Sequence, residues 1–263
     1  MSGPDRKTLF LSENLHVFSR FGPEPASDVV VVCWSNWVPV QSLTGDVFGE
    51  GVFPQNGIDG IYVNCASNAW WQYEELSEAL SLVREAAGGR PIVTYGSSMG
   101  GYAAIRFSHA LDAVRAVAVA PQFSIRASIV PGEDRWDKEA VCITYLYEDE
   151  PSFTDSCEIY VLYDPLYLKD AQHVVAYEVL TDLERVELYC SGHPPLDSLV
   201  EYGLASWFAL SAVKGQLDRA YLRSVVRARR RSSARYWREL SFRCMERGHH
   251  RWADRAREAG SAL

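Results

Sequence analysis

No apolar run in this chain of 263 residues approaches the roughly 20 residues that a helix needs to cross a bilayer. The longest runs, Val29 to Trp34 and Val114 to Pro121, fall far short. Met1 to Lys7 leads into no extended apolar segment. No signal or transit peptide is therefore read there, and a cytoplasmic location is expected. The six cysteines, Cys33, Cys65, Cys142, Cys157, Cys190 and Cys244, include no C-x-x-C pair, and most sit in or beside apolar runs. Buried, reduced thiols are the expectation. Cysteine and histidine do not recur at zinc-ligand spacing, so no metal site is expected, and nothing calls for an organic cofactor. Internal repeats are missing too.

What is present is apolar residue enough for a large core: 48% of the chain is hydrophobic and 12% aromatic. Its organisation is rhythmic. A hairpin is expected over Leu9 to Arg20. Val29 to Cys33 and Gly60 to Cys65 read as strands buried on both faces, because their β-branched runs do not alternate with polar residues. Tyr73 to Ala87 keeps helical spacing at Leu76, Ala79, Leu80, Val83 and Ala87, and Gly88-Gly89 ends it. Strands then follow at Pro91 to Tyr95, Val114 to Ala120, Glu158 to Tyr163 and Val186 to Cys190. Helices follow at Met99 to Leu111, Leu166 to Leu180 and Leu196 to Val213. Strands alternating with helices predict an α/β fold, a mainly parallel sheet with helices on both faces.

Residues 1–213 are expected to form this domain. The stretch 121–153, rich in Pro, Asp and Glu, breaks the rhythm and reads as an insertion or lid over the sheet's carboxyl edge. Residues 214–263 read as a basic helical extension, with helices over Gln216 to Ser232, Ala234 to Arg247 and Arg251 to Ala259. Between Lys214 and Glu258 lie 14 basic and 5 acidic side chains, which leaves 12 basic and 29 acidic elsewhere in a chain of net charge −8. An acidic body with a basic tail predicts two surfaces with different partners. The run Arg227-Ala228-Arg229-Arg230-Arg231 invites a nucleic-acid reading, but known binding motifs and glycine–aromatic interleaving are missing. The expected role is instead a solvated face or a contact between subunits, so that these helices could build a homo-oligomer.

Chemistry concentrates in Tyr95-Gly96-Ser97-Ser98-Met99-Gly100-Gly101. A β-branched strand enters Gly-x-Ser-x-Gly and a helix leaves it, which is the context of a nucleophile elbow. Ser98 would sit on a sharp turn with its Oγ thrown into the site. Small residues two before and two after let the backbone fold that tightly. The helix start aims amides at the site, and Met99 N–H would be one donor to a developing oxyanion.

In these residues the chain resembles the α/β-hydrolase superfamily, over roughly Val29 to Val213. The resemblance implies a serine hydrolase whose nucleophile, acid and histidine follow in that chain order. His193, in Cys190-Ser191-Gly192-His193-Pro194-Pro195, follows the last strand in a loop and takes the place of the base. Asp164, at the end of Ile159 to Tyr163, takes the place of the acid, where it would hold the histidine tautomer. It could instead cap the following helix with Pro165, and Asp170 is the alternative acid. Asp170 and His173, one turn apart, read as a solvated or supporting pair rather than a metal site.

The superfamily's second oxyanion donor comes from the loop after the first buried strand, here Trp34-Ser35-Asn36-Trp37, so Ser35 or Asn36 is the candidate. The HGGG sequence of lipases and esterases is missing from this loop. Trp34, Trp37, Trp70, Trp71 and Tyr102 cluster around the expected mouth and could bind a sugar ring, an aryl group or an acyl group, or simply pack its rim. The expected activity is cleavage of an ester, thioester or amide through an acyl-enzyme, on a small-molecule or glycan acyl substrate. The elbow without HGGG is also similar to hydrolase-like proteins of polysaccharide or glycoprotein export. That likeness offers acetyl transfer or an accessory role as the alternative, with a purely binding role as a third.

Overall fold

The computed structural model describes residues 5–22, 27–148 and 156–263. The chain opens with a hairpin of β1 (Lys7–Leu11) and β2 (Leu15–Arg20). Next come β3 (Val30–Trp34), β4 (Asp59–Cys65), α1 (Leu76–Ala87), β5 (Ile92–Ser97), α2 (Met99–Arg106) and β6 (Ala113–Val119). A short helix, α3 (Asp137–Ala140), precedes β7 (Glu158–Tyr163), α4 (Leu168–Glu178) and β8 (Glu184–Glu187). The chain ends in α5 (Leu196–Glu201), α6 (Ala205–Val213), α7 (Arg219–Arg229), α8 (Ala234–Glu246) and α9 (His250–Ser261).

The eight strands form one sheet in the order β1-β2-β4-β3-β5-β6-β7-β8. Pairings β1/β2 and β2/β4 are antiparallel, and the remainder are parallel. Every residue of β3, β4 and β5 is buried, as their unbroken apolar runs require. Alternate residues serve opposite faces. Val30, Val32 and Trp34 join one core with α1, α2 and α4 residues such as Leu76, Tyr102 and Tyr177. Val31 and Cys33 join the other with Leu199, Phe208 and Leu222 from α5, α6 and α7. The sheet is thus covered on both faces, and α7 extends one of the covering layers.

Chain order reverses at β3, which has β4 on one side and β5 on the other. In an open parallel sheet such a switch point parts the loops at the strands' carboxyl ends and leaves a crevice there. The residues after β3 and β5 are Ser35-Asn36 and Ser98.

The expected single helix over Leu196 to Val213 is two, α5 and α6. Gly203 takes φ 64° between them, and Leu204 N–H turns back to Leu199 O at 2.7 Å. The last strand ends earlier than expected, at Glu187, although Leu188 N–H still reaches Tyr163 O at 2.9 Å. The helix after the elbow also stops early, at Arg106. Of the insertion expected over 121–153, residues 121–148 hold only α3 and turns, and 149–153 lie outside the described residues. No helix among the described residues is long and apolar enough to cross a membrane.

Candidate active site

The turn between β5 and α2 puts Ser98 at φ 53° and ψ −117°, a conformation that L residues rarely adopt. Its neighbours show why the turn needs glycine. A Cβ at Gly96 would lie 2.1 Å from Gly100 O, and one at Gly100 would lie 2.7 Å from Trp34 O. Ser98 N–H is anchored to Val119 O at 2.8 Å, which ties the elbow to β6.

Ser98 Oγ lies 3.2 Å from His193 Nε2. His193 Nδ1 lies 2.8 Å from Asp170 Oδ2. An ionised carboxylate only accepts, so Nδ1 carries the proton and Nε2 is left to accept from the serine. The tertiary fold therefore gathers Ser98, His193 and Asp170, not Asp164, into one hydrogen-bonded line. Asp164 is fully buried and otherwise engaged. Its Oδ2 accepts from Ser191 N–H (2.9 Å) and Gly192 N–H (2.8 Å), and its Oδ1 from Leu166 N–H (3.0 Å). It pins the loop that carries His193 and caps the turn into α4. The expected acid is corrected accordingly: the strand-end carboxylate turns back on backbone amides, while Asp170, in the first turn of α4, reaches the imidazole.

Behind Asp170 lies a ladder of buried charge from the insertion. Arg135 NH1 donates to Asp170 Oδ1 at 2.7 Å, and Arg135 Nε donates to Glu133 Oε1 at 3.0 Å. Glu133 Oε2 accepts from His173 Nε2 at 2.7 Å. His173 Nδ1 accepts from Phe123 N–H at 3.0 Å, which fixes His173 as the Nε2–H tautomer. Burial alone would push the Glu133 carboxyl up, but the hydrogen bonds from His173 and Arg135 hold it far below the usual carboxylate range. Burial would likewise weaken the charge on Arg135, yet its bond to Glu133 and the charge of Asp170 keep it cationic well beyond the ordinary range. Asp170 and His173 are both fully enclosed, so this pair is not solvated.

A further neighbour escaped the sequence reading. Gln122 is fully buried just beyond β6, and its Nε2 donates to Ser98 Oγ at 3.1 Å. Gln122 Oε1 lies 3.4 Å from the same oxygen, farther than His193 Nε2 at 3.2 Å. The signal that could have found Gln122 is its position, past the carboxyl end of the strand beside the elbow.

The oxyanion candidates separate. Met99 N–H is the first amide of α2, which a helix leaves without an internal partner. Ser35 N–H is consumed by Val63 O at 3.1 Å, so Ser35 is corrected from donor to sheet member. Asn36 N–H has no hydrogen bond among the described residues and is left as the backbone donor from this loop.

The aromatic mouth is also revised. Trp34, Trp70, Trp71 and Tyr102 are fully buried core residues. Trp34 meets Trp71 edge-on at 4.8 Å, and Trp71 Nε1 donates to Met99 O at 3.1 Å, so this pair buttresses the elbow from behind. Tyr102 OH accepts from Gln72 Nε2 at 2.9 Å. Only Trp37 is half-buried; it packs on Trp136 at 5.4 Å and donates to Glu139 Oε1 at 2.9 Å. Trp34 ends β3 and Tyr102 lies in α2, so both belong to the core between sheet and helices, which Trp70 and Trp71 join. Among the described residues no cluster of three or more His, Cys, Asp or Glu side chains could hold a metal ion.

No protein-family model matches the chain, and no curated protein matches it. Solved structures do. A histidine-to-alanine variant of the capsule O-acetyltransferase of Neisseria meningitidis serogroup A, in complex with CoA, aligns with 75% of this chain and 93% of its own, at TM-score 0.54 and 9% identity. MGS-M1, an α/β hydrolase enzyme from a Medee basin deep-sea metagenome library, aligns with 86% of this chain and 99% of its own, at TM-score 0.53 and 12% identity. At such identities the likeness is one of fold, and together with the sheet order and the elbow it identifies the chain as having the α/β-hydrolase fold.

Proposed function

We infer that the protein is a serine-dependent acyl enzyme that cleaves an ester, thioester or amide. The observation that carries this reading is the line from Ser98 Oγ to His193 Nε2 (3.2 Å) and from His193 Nδ1 to Asp170 (2.8 Å), set on a left-handed elbow. Ser98 Oγ attacks the acyl carbon while His193 Nε2 takes its proton. Asp170 holds the tautomer and stabilises the imidazolium. The oxyanion is met by Met99 N–H and Asn36 N–H. When the tetrahedral adduct collapses, the bond to the leaving group breaks and His193 returns the proton to it. Water, deprotonated by the same imidazole, then attacks the acyl-enzyme and frees Ser98.

Acyl transfer to a hydroxyl is the second reading. Ser98 is only 7% exposed and the His193 side chain 15%, which limits access of bulk water to an acyl-enzyme. The similarity in fold to a capsule O-acetyltransferase points the same way. In that case the acceptor hydroxyl replaces water in the second half.

A fluorophosphonate probe tests the shared step. Wild type is expected to be labelled at Ser98, while Ser98→Ala and His193→Ala stay unlabelled and folded. Unlabelled wild type, or a fully active His193→Ala enzyme, would overturn the reading.

A further inference from the structure

The first helix of the basic tail forms one wall of a groove. α7 and the turn after it face the free edge of β8 across a cavity of about 410 Å³, within the ordinary range for ligand sites. Two of its arginines are committed: Arg185 to Glu178 and Arg219 to Glu184. Three are not. Arg223 and Arg227 have no ion pair or hydrogen bond among the described residues. Arg230 lies over the Tyr236 ring at 5.4 Å, and its buried Nε has no hydrogen-bond acceptor.

These three follow one another on a single helical stripe, at i, i+4 and i+7, and so span roughly 10 Å. Arg230 lines the groove beside Arg223 and Arg227, so three guanidinium groups without a carboxylate partner among the described residues border one cavity. The only carboxylate among the lining residues, Glu187, already accepts from Tyr189 OH at 2.8 Å. Tyr189 lines the same groove and is 51% exposed, leaving a flat ring for an apolar sugar face. From Tyr189 the chain runs directly into the Cys190–His193 loop.

We propose that this groove binds a polyanionic carbohydrate chain through Arg223, Arg227 and Arg230, with Tyr189 under one of its rings. Guanidinium forks match carboxylate and phosphate groups alike, and about one anionic group per sugar unit suits the spacing of the stripe. The site stands apart from the catalytic chemistry. Only its use as the acyl acceptor or donor, delivered past Tyr189 towards His193, rests on the acyl-enzyme reading.

The test uses the full chain carrying Ser98→Ala, with fluorescently labelled hexagalacturonate, a phosphorylated mannan oligosaccharide and neutral maltohexaose, followed by anisotropy. At least one anionic oligosaccharide is expected to bind, the two together telling carboxylate from phosphate recognition, while maltohexaose does not. Binding should weaken about tenfold or more in Arg223→Gln/Arg227→Gln, and also on raising salt from about 50 to 300 mM, where exposed charges are screened. Both arginines are exposed, so the thermal midpoint should hold. Equal binding by the double variant, equal binding of maltohexaose, or binding of neither anionic sugar overturns the proposal. So does tighter capture of oligothymidylate or polyglutamate through the same arginines. Fluorophosphonate labelling of the Arg223→Gln/Arg227→Gln enzyme with Ser98 intact reads the catalytic site separately. Sugar binding with no labelling of wild type would sink the catalytic reading and leave the groove standing.

Discussion

At the scale of the residue, two buried aspartates six positions apart divide the work around His193. Asp170 touches the imidazole, whereas Asp164 holds the loop beneath it through two backbone amides and caps the turn into α4 through a third. Their amide variants should therefore fail differently. Asp170→Asn keeps the shape but favours the wrong histidine tautomer, so kcat is expected to fall by roughly 10³–10⁴; it also takes the carboxylate from Arg135, so some stability is lost with it. Asp164→Asn replaces an ionic acceptor of two loop amides, which is expected to lower unfolding free energy by about 2 kcal/mol. Some labelling of Ser98 should survive in the second variant. Denaturant melts and probe labelling of the two proteins side by side check the division, and the reverse pattern would restore Asp164 as the acid.

At the scale of the element, the insertion between β6 and β7 reaches the site through Arg135. This cation bonds Asp170 Oδ1 while His193 bonds Oδ2, so it fixes the carboxylate that orients the imidazole. Other charged and titratable groups face the same loop. Tyr167 packs beside the His193 ring at 6.1 Å with Arg243 over its own ring. Arg235 holds the carbonyls of Ser191 and Pro194, and Glu239 lies against Gly192. Among the described residues, Arg135 and His193 are the side chains bonded to Asp170. In Arg135→Gln the Asp170 carboxylate loses one of its two side-chain partners, so kcat is expected to fall by about tenfold or more as the imidazole is held less firmly. Arg135→Lys, which keeps the charge but not the planar fork, should recover part of that loss. Unchanged kcat in Arg135→Gln would show that this arm of the insertion has no hold on the site.

The same ladder sets how the arm responds to acid. Glu133 is held below its ordinary value of 4.5, so it contributes stability above that pH, and the contribution is lost as pH falls further. The arm should therefore loosen in acid and free Arg135 from its place behind Asp170.

At the scale of the whole molecule, the helical extension braces the loop that carries His193. Arg235 of α8 donates to Ser191 O at 2.8 Å and to Pro194 O at 3.1 Å, and pairs with Asp197 at 2.9 Å. Ser233 and Arg229 bond Glu201 and the Tyr202 carbonyl. Arg235→Ala should still fold, at a cost on the order of 1–3 kcal/mol, since its side chain is only 12% exposed and bonds two loop carbonyls besides Asp197. It should nonetheless lower kcat by about tenfold or more, because a small displacement of the base is costly. Wild-type kcat in Arg235→Ala would show that the brace is idle.

Much of this was legible from residue order alone. Unbroken β-branched runs alternating with helical spacing determine a covered parallel sheet, because no other arrangement buries both faces of such strands. Glycines on either side of Ser98 determine the elbow, because only they leave room for its backbone. His193 was reachable because a loop after the last strand lies at the carboxyl edge. Pairings set by where side chains turn were not reachable. Asp164 and Asp170 both precede His193 in chain order, and only packing of α4 against the loop decides which carboxylate meets the ring. Ser35 loses its amide to β4, the tryptophans sink behind the elbow, and Arg135 and Gln122 arrive from a segment without periodicity. Periodicity reports which face of an element is apolar; hydrogen-bond partners between distant segments exist only once those faces have packed.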